Sequence, residues 1–292
     1  MARIVVVHGI GQEFLGPEQM RGAAAPALRD GVRLAGAPPI PDEDVACAFY
    51  GDLYHEPGTR SGDLPPWDEG DVEEGLEEEL LAAWWRAAAE ADPAVDGPDE
   101  DGTRGLVGFG ASRALHVQRV RAALDALAGS RFFGKVSDRL MVLALKQVRR
   151  YLTEPALRAA ARDRVAAEVG PDTRVVVGHS LGSVVAYETL CAHPEWPVTD
   201  FVTLGSPLGL RGVVFDRLAP SPADGRGAWP GPVARWTNVA DRGDVVALPD
   251  RLAGRFGERI ADQRVDNGTR MHDLARYLAA PKTGAAVARG LS

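Results

Sequence analysis

The segment from Gly178 to Gly182 reads Gly-His-Ser-Leu-Gly, a spacing in which a serine can act as a nucleophile. A serine in this pattern sits on a sharp strand-to-helix turn, so that its hydroxyl projects above the edge of a sheet. Gly178 and Gly182 allow close backbone packing, and the N–H of Leu181 can stabilise an oxyanion at the helix N-terminus. Ser180 is therefore the candidate nucleophile, and a strand–helix turn without catalysis is the alternative.

A second glycine-rich turn, at His8, Gly9, Ile10 and Gly11, follows a β-branched run near the N-terminus. Glycines lack a Cβ, so this backbone can come close to a substrate carbonyl. When a serine attacks a carbonyl carbon, the oxyanion needs a second N–H donor, which such a loop can supply. We assign that donor to Ile10. His8 is expected to order the loop rather than to transfer protons. A generic glycine turn is the alternative interpretation.

In α/β folds with the nucleophile on such a turn, the general base is a histidine that follows the serine in the chain, with an acidic residue between them. Five of the six histidines precede the serine, lie within its turn, or end the helix after it: His8, His55, His116, His179 and His193. His272 remains, at the start of a short predicted helix and next to a loop. We therefore predict His272 as the base.

Two aspartates, Asp241 and Asp244, follow the predicted strand from Arg235 to Ala240. Asp244 is the preferred acid, because a carboxylate followed by a short apolar turn can be held half-buried to orient an imidazole. Asp241 is the competing choice, and its other roles would be to cap the loop or to pair with Arg242. A turn-forming carboxylate is the alternative for either aspartate. The predicted chemistry is acyl transfer through the serine, which requires no metal and no cofactor.

These residues need a sheet to position them, and the sequence predicts one. The predicted strands are Ile4–Val7, Val45–Tyr54, Arg174–Val177, Phe201–Leu204, Arg235–Ala240 and Ile260–Val265. Helices are predicted over Pro17–Leu34, Leu181–Ala192 and Met271–Leu278. Strands that alternate with helices indicate an α/β protein with a mostly parallel sheet covered on both faces.

One interval, 55–170, contains no convincing strand. Two apolar stripes at helical spacing run from Val72 to Ala88 and from Met141 to Leu152, and a loop is predicted from Asp92 to Gly105. We interpret the chain as a single domain, 1–292, with a helical insertion over 55–170. The insertion is either a layer packed on the sheet or a cap that lines the substrate pocket.

The composition excludes several classes of function. A chain of 292 residues with a formal net charge of −8 is a poor candidate for binding nucleic acid, which needs clustered Lys and Arg. Cys47 and Cys191 cannot form a zinc motif or a disulfide framework. The N-terminus lacks the pattern of a signal peptide, and no apolar run approaches the roughly 20 residues of a membrane span. We therefore expect a cytoplasmic protein, and the sequence does not predict its oligomeric state.

Several segments together resemble the α/β-hydrolase lipases and esterases. They are Val5–Gln12, Gly178–Ser183, Leu204–Pro207 and Asn238–Ala247. The combination is most similar to intracellular phospholipases with a DDHD domain, which have comparable His-Gly-Ile-Gly-Gln, Gly-His-Ser-Leu-Gly-Ser and Asp-x-Val-Ala segments. The resemblance implies an α/β-hydrolase fold and a lipid or other acyl-ester substrate, and it supports Ser180, Asp244 and His272 as a triad. It does not extend to the insertion, and Gly243–Val246 departs from the more proline-rich version in those enzymes.

Three other functions are alternatives to ester hydrolysis. The segment from Gly129 to Lys135 imitates a phosphate-binding loop, but Val136 offers no hydroxyl for magnesium and a helical stretch precedes it. The fold could also serve as a catalytically silent binding module, or transfer the acyl group to an alcohol other than water. The aromatic residues of the insertion allow two interpretations. They either fill its core or form a surface for peripheral membrane contact; these residues are Trp84, Trp85, Phe132 and Phe133.

Overall fold

The computed structural model describes residues 1–55, 66–98, 113–132 and 136–292. Its centre is a six-stranded sheet in which every neighbouring pair of strands is parallel, in the order β2-β1-β3-β4-β5-β6. The strands are β1 (Ile4–Val7), β2 (Val45–Ala48), β3 (Val175–His179), β4 (Asp200–Leu204), β5 (Arg235–Asp241) and β6 (Ala261–Val265). The chain is thus of the α/β class, as the sequence predicts.

Nine α-helices lie in the described residues, and several of them pack on this sheet. In chain order the helices are α1 (Pro17–Leu34), α2 (Leu76–Ala91), α3 (Arg113–Ala128), α4 (Asp138–Thr153), α5 (Pro155–Glu168), α6 (Leu181–Ala192), α7 (Ala253–Phe256), α8 (Leu274–Ala279) and α9 (Pro281–Leu291). Helix α1 packs against α8 and α9, and α5 packs against α6. None of the helices in the described part of the chain is both long enough and apolar enough to cross a bilayer.

The β-branched runs form the strands because both faces of a parallel sheet are buried under helices. Every residue of β1, β3 and β4 is buried. Side chains on one face, among them Ile4, Val6 and Val177, join Leu28 of α1 and Val287 of α9 in one apolar core. This core fixes the strands whose carboxyl ends carry the candidate site.

The chain divides into two compact units, Met1–Glu56 with Tyr151–Ser292, and Pro57–Arg150. The sequence had indicated a single domain with an insertion over 55–170, which is longer than the second unit. Helix α5 belongs to the sheet unit, where it packs on β1, β2 and α6. The sequence missed this because α5 is amphipathic like the helices before it, and only packing reveals which unit it covers.

In the second unit, α2 packs against α3, and Trp84 is buried, as expected for a core residue. Glu77 of α2 is also fully buried, where it pairs with Lys146 at 3.0 Å and Arg149 at 2.6 Å. Part of the predicted loop from Asp92 to Gly105, and the end of the phosphate-loop imitation with Phe133, lie outside the described residues.

The element boundaries that differ most from the sequence prediction are the end of the second strand and the start of the helix near His272. The second strand ends at Ala48 rather than Tyr54, because the N–H of Tyr50 donates to the ring of His8 and a 3-10 turn follows over Gly51–Tyr54. The helix near His272 begins at Leu274 rather than Met271, since the Asp273 side chain caps its first turn. Helix α9 follows it and was not predicted.

Candidate active site

Five segments meet at one edge of the sheet because they follow the carboxyl ends of parallel strands. They are the loop after β1 at His8–Gly11, the turn after β3 at Ser180, Gly205 after β4, the loop after β5 with Asp244, and the loop after β6 with His272. Ligands of open α/β sheets bind at this edge. The predicted site residues, although distant in sequence, therefore share one location.

Ser180 occupies the strand-to-helix turn that its motif predicts. It lies between β3 and α6 with φ 51° and ψ −131°, a left-handed conformation that is strained for a residue with a Cβ. The turn is held by hydrogen bonds from the Ser180 N–H to the carbonyl of Leu204 and from the Ser183 N–H to the carbonyl of Ser180, each 3.0 Å. The N–H of Leu181, at the first position of α6, has no acceptor within the helix.

The loop after β1 touches the Ser180 turn directly. A Cβ on Gly9 would lie 2.7 Å from the Cβ of Ser180, and one on Gly182 would collide with the carbonyl oxygen of His8. Gly178 packs in the same way against the backbone of Ser183. These close approaches bring Ile10 and Ser180 to the wall of one pocket.

His8 ties this loop to the chain after β2. Its Nδ1 lies 2.6 Å from the carbonyl oxygen of Gly9, and its Nε2 accepts the N–H of Tyr50 at 3.0 Å, so the proton is on Nδ1. The hydroxyl of Tyr50 donates to the carbonyl of His8 at 2.7 Å. Burial lowers the pKa of His8 to about 4, so the ring is neutral at pH 7 and orders the loop.

His272 and Asp244 form a hydrogen-bonded pair. Nδ1 of His272 lies 2.7 Å from Oδ2 of Asp244, which places the imidazole proton on Nδ1 and leaves Nε2 as the basic nitrogen. That Nε2 is buried and has no hydrogen-bond partner among the described residues. His272 lines the same pocket as Ser180. An unpaired, basic nitrogen therefore belongs to a residue that shares a pocket with the candidate nucleophile.

Asp244 stays ionised despite being buried. Burial by itself raises the pKa of this carboxyl, but the charge and hydrogen bond of His272, the Tyr277 hydroxyl and the Val246 N–H lower it below its usual value. Tyr277 donates to Oδ2 at 2.7 Å and Val246 donates to Oδ1 at 3.0 Å. An anionic Asp244 can thus orient and stabilise a protonated imidazole.

Asp241, the competing acid, has a different position. Its carboxylate accepts the N–H of Gly243 at 2.7 Å and the N–H of Asn267 at 2.5 Å. It therefore connects the loop after β5 to the loop that carries His272. The structure brings Asp244, and not Asp241, to the imidazole.

Comparisons with known proteins do not identify the chain. A scan against models of protein families finds no match. A search of the curated proteins finds no significant match either. A function can therefore be inferred only from the geometry of this site.

Sequence reasoning missed two residues of the site. The Tyr277 hydroxyl bridges the Asp241 N–H, at 2.9 Å, and the Asp244 carboxylate. Burial and then the charge of Asp244 raise the pKa of Tyr277, so it remains a donor. Gly205 has φ 53°, and a Cβ there would lie 2.8 Å from Oδ2 of Asp244. The sequence signals for Gly205 are its place after a strand and within the Leu204–Pro207 segment, whereas Tyr277 has none, because its spacing is that of an apolar helix residue.

His179, which the sequence analysis left out of the chemistry, supports His272. Its Nε2 lies 3.1 Å from the carbonyl oxygen of His272, and the two rings are 4.7 Å apart. Burial, followed by repulsion from His272, lowers the pKa of His179 to about 3. A neutral His179 donates to the His272 backbone and does not compete as a base.

Proposed function

We propose that this chain is a serine hydrolase of the α/β-hydrolase fold that cleaves carboxylic esters. The observation that carries the proposal is the Asp244–His272 pair, whose unpaired Nε2 belongs to a residue lining the Ser180 pocket. The strained Ser180 turn on a central strand and the adjoining glycine loop after β1 support it further. The substrate is a small-molecule or lipid ester, and contact with a membrane surface would be peripheral.

The reaction follows from the roles of the individual groups. Nε2 of His272 accepts the Ser180 hydroxyl proton while Oγ attacks the ester carbonyl carbon. The N–H groups of Ile10 and Leu181 stabilise the oxyanion, and Asp244 stabilises the imidazolium. The tetrahedral intermediate collapses, the C–O bond breaks, and His272 gives its proton to the departing alcohol. Water, deprotonated by His272, then attacks the acyl-serine. The bond from the acyl carbon to Ser180 Oγ breaks, His272 returns its proton to Oγ, and the acid is released.

A fluorophosphonate probe tests this proposal directly, because it phosphonylates only an activated serine. The wild type should be labelled, and Ser180→Ala should lose both labelling and hydrolysis of p-nitrophenyl acetate, the latter by about 10⁵-fold or more. Ser221→Ala removes an exposed serine elsewhere in the sheet unit and should behave as wild type. A folded wild type that neither reacts with the probe nor hydrolyses the ester would favour a catalytically silent binding module.

A further inference from the structure

The Ser180 pocket continues into a groove with an apolar floor. Its volume is about 310 Å³. The apolar residues that line it are Leu15 just before α1, Met20, Ala23 and Ala24 in the first turns of α1, and Leu274 and Ala275 at the start of α8. Ala23 and Leu15 are exposed, so the groove is reached from solvent.

The charges around the groove are unfavourable for an anion. Among the described residues that line it there is no Lys or Arg, and its one carboxylate is Asp273. The Asp273 side chain caps α8 through the N–H of Arg276, at 3.0 Å. Arg270 lies 3.9 Å from Asp273 but does not line the groove, and its side chain is exposed. A phosphate entering the groove would lose water without gaining a cation.

We infer that the groove binds the apolar chain of an uncharged ester, and that an ester with a phosphate head group is a poor substrate. The inference rests on the proposed function, since it takes the groove as the continuation of the Ser180 pocket. Each methylene that leaves water should strengthen productive binding by up to about fourfold. Chain length should therefore raise kcat/KM until the groove is full.

Two matched substrates separate the effect of the chain from that of charge. Monooctanoylglycerol and its glycerol phosphate counterpart carry the same acyl chain and differ only in the phosphate. The neutral ester should show at least about a tenfold higher kcat/KM. In a p-nitrophenyl series, octanoate should exceed acetate by at least tenfold. Equal rates for the two glycerol esters, or no gain with chain length, would overturn the inference while leaving ester hydrolysis intact.

A bulky side chain in the groove tests its location. Ala23→Trp should lower kcat/KM for p-nitrophenyl octanoate, and the ratio of octanoate to acetate activity, by at least tenfold. Ala159→Trp places the same side chain at an exposed alanine of α5 that does not line the groove, and should change neither. An Ala23→Trp variant with the wild-type ratio of octanoate to acetate activity would contradict the assigned groove.

A binding measurement keeps the inference independent of catalysis. Titration calorimetry with Ser180→Ala and monooctanoylglycerol should detect binding that Ala23→Trp, added to Ser180→Ala, weakens by at least tenfold. If the wild type hydrolyses no ester but this binding persists, the proposed function fails and the groove assignment stands. If the wild type hydrolyses acetate but the binding is absent or unaffected by Ala23→Trp, the groove assignment fails alone.

Discussion

Hydrogen bonds to one carboxylate organise the candidate site at the scale of residues. Oδ2 of Asp244 accepts hydrogen bonds from Nδ1 of His272 and from the hydroxyl of Tyr277, each 2.7 Å long. The two donors share the negative charge of that oxygen. Tyr277 therefore influences how strongly Asp244 stabilises a protonated imidazole, although it lies behind the carboxylate and not in the pocket lining.

Replacing Tyr277 by phenylalanine should change both the pH dependence of kcat/KM and the stability of the protein. Without the hydroxyl, Asp244 carries more charge towards His272 and favours the protonated imidazole, so the acid limb of kcat/KM against pH should move to higher pH. The free energy of unfolding should fall by about 1–3 kcal/mol, because the Asp241 N–H also loses its partner. A pH–rate profile and a urea titration measure the two effects. An unchanged acid limb would mean that the Tyr277 hydroxyl contributes to the structure only and does not affect the protonation of the imidazole.

At the scale of secondary-structure elements, the contact between two loops determines the geometry of the proposed oxyanion donors. The loop after β1 and the turn after β3 follow neighbouring strands, with Val7 paired to Gly178. Parallel strands carry both segments to the same edge, and Gly9 lets them touch. The oxyanion donors proposed on Ile10 and Leu181 depend on this contact, because one donor comes from each segment.

Gly9→Ala should therefore impair catalysis more than binding. The added Cβ would lie 2.7 Å from the Ser180 Cβ, and the loop must shift to relieve the clash. Misplacing one oxyanion donor costs roughly 10²–10³-fold in kcat. Gly22→Ala is the matched control, since a Cβ at this exposed position of α1 meets nothing within 4 Å and should stabilise the helix by about 1 kcal/mol. Steady-state kinetics distinguish the two, and wild-type kcat in Gly9→Ala would refute the role of the contact.

Buried neutral histidines link the stability of the whole molecule to pH. The pKa of His8 falls from its usual 6.5 to about 4 in the folded protein. Between these values the unfolded chain binds more protons, so the stability contributed by the neutral ring is complete above pH 6.5 and is lost as pH falls towards 4. His179, whose pKa is about 3, acts in the same direction over a wider range.

The free energy of unfolding should accordingly fall by a few kcal/mol between pH 7 and pH 4. His8→Gln removes one titrating ring and should give a shallower decline, even if it is less stable at pH 7. Urea titrations across this pH range provide the measurement, and equal slopes for wild type and His8→Gln would rule out the linkage to His8.

The sequence was sufficient to predict the parallel strands and to identify Ser180 as the candidate nucleophile, because β-branched runs and glycine turns are local signals. It also narrowed the base to His272. The tertiary structure was needed to show which of Asp244 and Asp241 contacts His272, since Asp244 and His272 lie 28 residues apart on loops after different strands. The extent of the second unit and the part of Tyr277 were likewise decided by packing. Such contacts form between loops and helices that are distant in the sequence, and the spacing of residues within one segment does not predict them.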